Sequence, residues 1–250
     1  MANAKSIRAD SPLKVLIYGP SGTKKTTLAA SFPNPHFVDL DNGMRVLMGK
    51  DINYVTLSEK ETTDPDFLSL CGPKAGKLDA YNKAATLLEK WANSLTAKDT
   101  LILDSLSLYT DYALAYVLRT ERQDKPRIQD WGSAQKLIEL TIEALTKAEC
   151  NVVVIAHEGY EKNEDGAITL WAPATIGKLS MKMPLYFDEV WRSACDHRKV
   201  LEGGKTVTQQ VYTIETAPTK KSTAKSRSNL PTTVEEPTYE KVIKLIADRR

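Results

Sequence analysis

The chain has 250 residues, 42% hydrophobic and 26% charged, which suits one large globular α/β domain with a full core. Its formal net charge of +2 excludes reading a nucleic-acid or acidic partner from bulk charge; any such partner must be argued from local patches. Three widely spaced cysteines, Cys71, Cys150 and Cys195, form no C-x-x-C pair, which argues against a zinc site or a disulfide framework and fits a reducing cytosol.

Residues 1–10 lack the apolar core of a signal peptide, and no run is long enough to cross a bilayer. A cytoplasmic location without membrane attachment is the expectation. Residues 1–13 read as an N-terminal arm, 14–216 as the core, and 217–250 as a basic segment with a C-terminal helix.

The first strand, 14–18, runs into Gly19-Pro20-Ser21-Gly22-Thr23-Lys24-Lys25-Thr26-Thr27, and a helix follows over 25–31. Strand, glycine-bearing loop and helix in that order nearly match the phosphate-loop pattern G-x-x-x-x-G-K-[ST]. Backbone N–H groups of such a loop face a polyphosphate. Lys25 is placed to reach the β- and γ-phosphates, and the Thr26 hydroxyl to hold Mg²⁺. One position departs: Lys24 stands where the pattern has its second glycine.

A strand over 36–41 carries Asp39 and Asp41, which alternate onto one side, with Asp41 at the tip where ligands bind. Another short strand is expected at 52–57, a connecting loop over 59–76 and an amphipathic helix over 78–95. Leu101-Ile102-Leu103-Asp104 then reads as an apolar strand ending in the carboxylate of a Walker B motif, with Ser105 beside it. A helix over 106–118 leads to a polar stretch, 119–127, holding Arg119, Arg122, Lys125 and Arg127, with Trp131 nearby. That stretch reads equally as a solvated loop and as a nucleic-acid contact.

A helix over 133–149 precedes the apolar strand 151–157, which ends in His157, a candidate sensor of the γ-phosphate. Residues 159–183 read as a long irregular loop bearing Lys162 and Lys178. A half-buried strand is expected at 187–192, a turn at Gly203-Gly204 and a strand at 207–215. The stretch 217–234, with Lys225 and Arg227, reads either as a flexible basic linker or as a segment projecting towards a nucleotide.

Taken together, these residues resemble the RecA-like P-loop ATPases of bacteriophages, the group that includes single-strand-annealing recombinases. The resemblance rests on the phosphate loop, Phe37-Val38-Asp39-Leu40-Asp41, Leu103-Asp104-Ser105, the strand ending in His157, Phe187-Asp188-Glu189-Val190 and Ala224-Lys225-Ser226-Arg227. It implies a RecA core, a mostly parallel central sheet flanked by helices, that binds ATP with Mg²⁺. By position, Asp41 matches the acidic residue that activates water, although RecA-type proteins usually have the longer Glu there. Asp104 matches the Walker B carboxylate, and His157 the residue coupling the γ-phosphate to a DNA-binding loop. Residues 119–131 and 158–180 match the two loops that hold single-stranded DNA. Lys225 and Arg227 match a basic pair that reaches the nucleotide of a neighbouring subunit in a ring or filament. A single-strand-binding protein is a further partner of such a protein. Two alternatives stand beside this reading: an annealing scaffold with vestigial hydrolysis, and another P-loop enzyme such as a helicase-type motor.

Overall fold

Apolar runs without polar alternation, such as Val15-Leu16-Ile17-Tyr18 and Val152-Val153-Val154-Ile155, must be covered on both faces, and helices on each side of a parallel sheet do this. A computed structural model of the chain describes residues 11–203 and 205–249. Most of the expected N-terminal arm, and Gly204 of the expected turn, lie outside the described residues.

In chain order the elements are β1 (Lys14–Gly19), α1 (Lys25–Ala29), β2 (Pro35–Asp39), β3 (Asn53–Thr56), α2 (Pro65–Cys71), α3 (Ala80–Ser94), β4 (Thr100–Asp104), α4 (Leu106–Thr120) and α5 (Ile128–Lys147). They continue with β5 (Asn151–Lys162), β6 (Ile168–Pro173), α6 (Leu179–Tyr186), β7 (Glu189–Glu202), β8 (Lys205–Glu215), β9 (Lys225–Ser226), β10 (Thr233–Glu235) and α7 (Tyr239–Ala247).

The main sheet runs β10-β8-β7-β1-β5-β4-β2-β3. Its centre, β7-β1-β5-β4-β2-β3, is parallel, and β8 and β10 extend it antiparallel. One strand, β5, therefore separates the phosphate-loop strand β1 from β4. The chain travels from β1 towards the β3 edge and then back through β4 and β5 to β7. Right-handed crossovers put helices of the two legs on opposite faces.

Alternate strand residues supply the two faces. Leu16, Tyr18, Val38, Leu103 and Val154 pack with α2 to α6. Val15, Ile17, Phe37, Ile102 and Ile155 pack with Leu28 of α1 and with Val242 and Ile246 of α7.

Several expectations change. The expected loop 59–76 contains α2, which starts as Asp-Pro sequences can: Asp64 accepts from the Phe67 N–H at 2.8 Å, Pro65 opens the first turn, and Phe67 is buried. Helix α5 begins at Ile128 rather than 133, because the Asp130 carboxylate accepts from the Arg127 N–H at 2.8 Å and caps it.

The expected irregular segment 159–183 is ordered differently. β5 runs on to Lys162, turns at Asn163 and Gly166 (φ 80°), and pairs antiparallel with β6 before α6 begins. The expected half-buried strand 187–192 lies inside the sheet, with Val190 and Trp191 both fully buried. The segment 217–234 is not a flexible linker: β9 pairs β7, β10 pairs β8, and Leu230 and Val234 enter the core.

Candidate functional site

The C-terminal ends of β1, β5, β4 and β2 meet at one edge, and the loop after β1 lies across it. Gly19 is required there, because a Cβ would collide with the Ser193 carbonyl oxygen. Gly22 adopts φ 79°, a left-handed conformation open to glycine. Lys24 is also left-handed, at φ 60° and ψ 27°, so the chain keeps the backbone shape of the missing glycine with a side chain attached.

That side chain is held on the β8 side of the loop. The Lys24 ammonium sits 3.6 Å from the centroid of the Tyr212 ring and 3.7 Å from Glu236 Oε2. Lys25 is buried, and its Nζ donates to the carbonyl oxygens of Gly19 at 2.9 Å and Pro20 at 2.7 Å. Burial pulls the Lys25 pKa down, and the charges of Asp104, Glu158 and Asp41 oppose this.

Thr26 Oγ1 donates to Asp104 Oδ2 at 2.7 Å. Asp104 is almost fully buried, and that burial pushes its pKa up to about 6 against the Thr26 hydrogen bond. The Asp104–Ser105 peptide is cis.

Asp39 and Asp41 take different roles. Asp39 is fully buried, accepting from the Thr56 hydroxyl at 2.7 Å and the Gly43 N–H at 3.1 Å, so it braces the turn after β2. Asp41 reaches the cavity, where it accepts from the Ser105 hydroxyl at 3.0 Å and lies 3.0 Å from His157 Nε2. Burial raises the Asp41 pKa, but the hydrogen bonds from His157 and Ser105 and the His157 and Lys25 charges outweigh it, leaving the carboxyl below its usual value. The Asp41 hydrogen bond raises the His157 pKa, with burial opposing.

A cavity of about 410 Å³ joins these groups; it is lined by Ser21, Gly22, Thr23, Lys24, Lys25, Thr26, Thr27, Asp41, Asp104 and His157, with Gly43, Val46 and Ile155. Lys225 and Arg227 are not among its walls. They lie where β9 pairs with the start of β7, and Arg227 Nη1 holds Asp188 at 2.8 Å, beside the N-terminal end of β1.

The basic residues of 119–127 divide. Arg119 is paired with Glu59 at 3.1 Å and Asp79 at 3.5 Å, and Arg127 with Asp130 at 2.8 Å and Glu121 at 3.4 Å. No ion pair forms to Arg122, Lys125 or Lys178 among the described residues. Lys162 lies 5.1 Å over the Tyr160 ring, on a hairpin that also carries Glu161, Glu164 and Asp165.

Sequence reasoning missed four residues that shape the site. Ser193 crowds Gly19 and its hydroxyl lies 2.5 Å from Thr23 Oγ1. The Ser107 hydroxyl accepts from the His157 N–H at 3.0 Å. Tyr212 and Glu236 hold Lys24. Only Ser107, close behind the Asp104-Ser105 pair, carried a local signal; the others come from distant strands.

The strand–loop–helix with its lysine and threonine, and the aspartate two strands away, define a P-loop NTPase core. The family described as an AAA domain matches residues 11–228, and the chain belongs to that family, whose members are P-loop ATPases. No match is found among curated proteins. No described helix is long and apolar enough to cross a membrane.

Proposed function

We propose that the chain is a Mg²⁺-dependent ATPase that binds single-stranded DNA and acts as a homo-oligomer, ring or filament, in strand annealing or recombination of the phage type. The observation that carries the ATPase part is one cavity bounded by Lys25, by the Thr26–Asp104 contact and by the Asp41–His157 pair.

The donors suit Mg²⁺. A hydroxyl and a buried carboxylate offer hard oxygens, and among the described residues no cluster of three or more His, Cys, Asp or Glu forms a full protein cage. That is the ligand set of an ion shared with substrate phosphates. Mg²⁺, when bound, neutralises charge on the β- and γ-oxygens. Lys25 exchanges its two carbonyl partners for phosphate oxygens, which make stronger charge-assisted bonds. Asp41, kept ionised by His157 and Ser105, accepts a hydrogen bond from the attacking water and orients it. His157 donates to the γ-phosphate.

Support for DNA comes from the turn between α4 and α5. Arg119, in the last turn of α4, pairs with Glu59, just beyond the C-terminal end of β3, and with Asp79, which caps α3, so the turn lies towards the strand ends that carry the cavity. Arg122 and Lys125 are the cations that turn offers to a backbone, and Lys178 is offered from the start of α6; Lys225 and Arg227 are offered to a neighbouring subunit's nucleotide.

The test is ATP turnover with and without single-stranded DNA, in the native chain, Lys25→Ala and Asp41→Ala. The expected result is DNA-stimulated hydrolysis lost by about 10²-fold or more in either variant. DNA affinity should fall with rising salt. Annealing that survives Lys25→Ala, with no turnover in the native chain, would leave nucleotide as a structural ligand and defeat the enzyme reading.

A further inference from the structure

A second cavity, of about 180 Å³, opens on the β7–β8 side of the phosphate loop, away from Asp41 and Asp104. Thr23, Lys24 and Thr27 line both cavities, so the two lie side by side along the phosphate loop. Its remaining walls are Leu28, Ser193, Tyr212, Ile214, Glu236, Pro237 and Thr238.

A nucleoside triphosphate is longer than the phosphate site. With its terminal phosphate at the Asp41–His157 end, its nucleoside leaves at the other end, past Thr27. The second cavity offers what an aromatic base uses: a ring face from Tyr212, apolar walls from Leu28, Ile214 and Pro237, and a polar edge from Glu236 and Thr238. The Tyr212 face is covered by the Lys24 ammonium, 3.6 Å from its centroid.

Resting on the nucleotide reading above, we infer that this cavity receives the nucleoside end of the bound nucleotide. The base stacks on Tyr212 once Lys24 leaves that face for the phosphates. Lys24 is then a positioning residue with two stations, Tyr212 and Glu236 without nucleotide and the phosphate chain with it. The exchange suits both partners: phosphate offers the ammonium a stronger acceptor than a ring face, and the base takes the ring. Releasing Glu236 also reports nucleotide binding to the segment that leads into α7.

Calorimetric titration with MgATP and with magnesium tripolyphosphate, which has no base, tests this in the native chain, Tyr212→Leu, Tyr212→Phe and Lys25→Ala. The native chain should prefer ATP, and Tyr212→Leu should lose about tenfold in ATP affinity, the size of one base–aromatic stack, with tripolyphosphate binding retained or tightened because Lys24 no longer leaves a ring to reach it. Tyr212→Phe should keep the preference. Retained tripolyphosphate binding shows that Tyr212→Leu is folded. ATP affinity unaltered in Tyr212→Leu, or ATP and tripolyphosphate weakened equally, would overturn the inference and leave the phosphate-loop reading standing. A native chain that binds neither ligand, or a Lys25→Ala variant that binds both as before, would sink that reading and this one with it.

Discussion

Replacing Lys24 by glycine and, separately, by alanine sorts the two opposing contributions of this residue to stability. At φ 60° and ψ 27° its backbone is left-handed, where a Cβ costs about 1–2 kcal/mol. Against this stand a ring contact at 3.6 Å, worth about 0.5–1 kcal/mol at an exposed site, and an ion pair at 3.7 Å. Both ion-pair side chains are about half exposed, so screening holds that pair to about 0–1 kcal/mol. Lys24→Gly loses the contacts and the strain together and should stay within about 1 kcal/mol of the native chain. Lys24→Ala loses the contacts and keeps the strain, so it should fall about 1 kcal/mol below the glycine variant, after allowing for glycine's freer unfolded chain. Urea unfolding at pH 7 with a shared m-value measures this, and thermal midpoints should differ by about 2–4 °C. An alanine variant as stable as the glycine variant would refute the left-handed assignment at this position. A glycine variant more than about 2 kcal/mol below native would show that the Tyr212 and Glu236 contacts together stabilise by more than an exposed ring contact and a screened ion pair can.

Three further outcomes follow from the geometry. Asp104→Asn keeps an acceptor for Thr26 but removes a carboxylate whose pKa burial has raised from 3.8 to about 6; metal-free stability at pH 7 should rise by on the order of 2 kcal/mol while Mg²⁺-dependent turnover disappears, and a fall in both would count against the desolvation account. Arg192→Met strands Glu158, whose side chain is 6% exposed and 2.6 Å from the guanidinium, so unfolding should lose about 3–5 kcal/mol, partly restored by adding Glu158→Gln; no restoration would mean that lost packing on Trp171 dominates. By NMR, His157 should titrate above 6.5, raised by Asp41, and His36 below it, lowered by burial. The stability that His157 contributes is then full below its unfolded pKa and is lost as pH rises through the folded value. Asp41→Asn should return His157 towards its ordinary value, and an unmoved His157 would deny the pairing.

Much of the sheet was legible in the sequence because parallel strands buried on both faces leave unbroken apolar runs, as 15–18, 101–103 and 152–156 do. The phosphate loop and Asp104 were legible because their chemistry is local to strand ends. Asp39 and Asp41 were not separable by alternation, since the difference lies in the partners: Thr56 and Gly43 claim one, Ser105 and His157 the other. Gly166 and Pro173 broke the expected pattern after His157 and read as loop, whereas they are a hairpin turn and a strand end. The basic stretch 217–234 looked like linker by composition, because its ordering comes from pairing with β7 and β8 rather than from its own sequence.

The role of β7 shows how distant residues enter the site. Trp191 and Val190 bury the strand next to β1, which fixes Ser193 in the wall of the second cavity with Arg192 just before it. The Ser193 carbonyl sets the closeness that demands glycine at 19, and its hydroxyl holds Thr23. One residue earlier, Arg192 grips Glu158, the residue after His157, and Glu215 of β8. β8 in turn carries Tyr212, which lies under Lys24. A displacement at the loop is therefore felt by β7 and β8, and a displacement of His157 by Arg192 through Glu158. The left-handed lysine fits this arrangement because its side chain has a built station on β8 and the segment before α7. Without Tyr212 and Glu236, glycine would be the better residue at position 24.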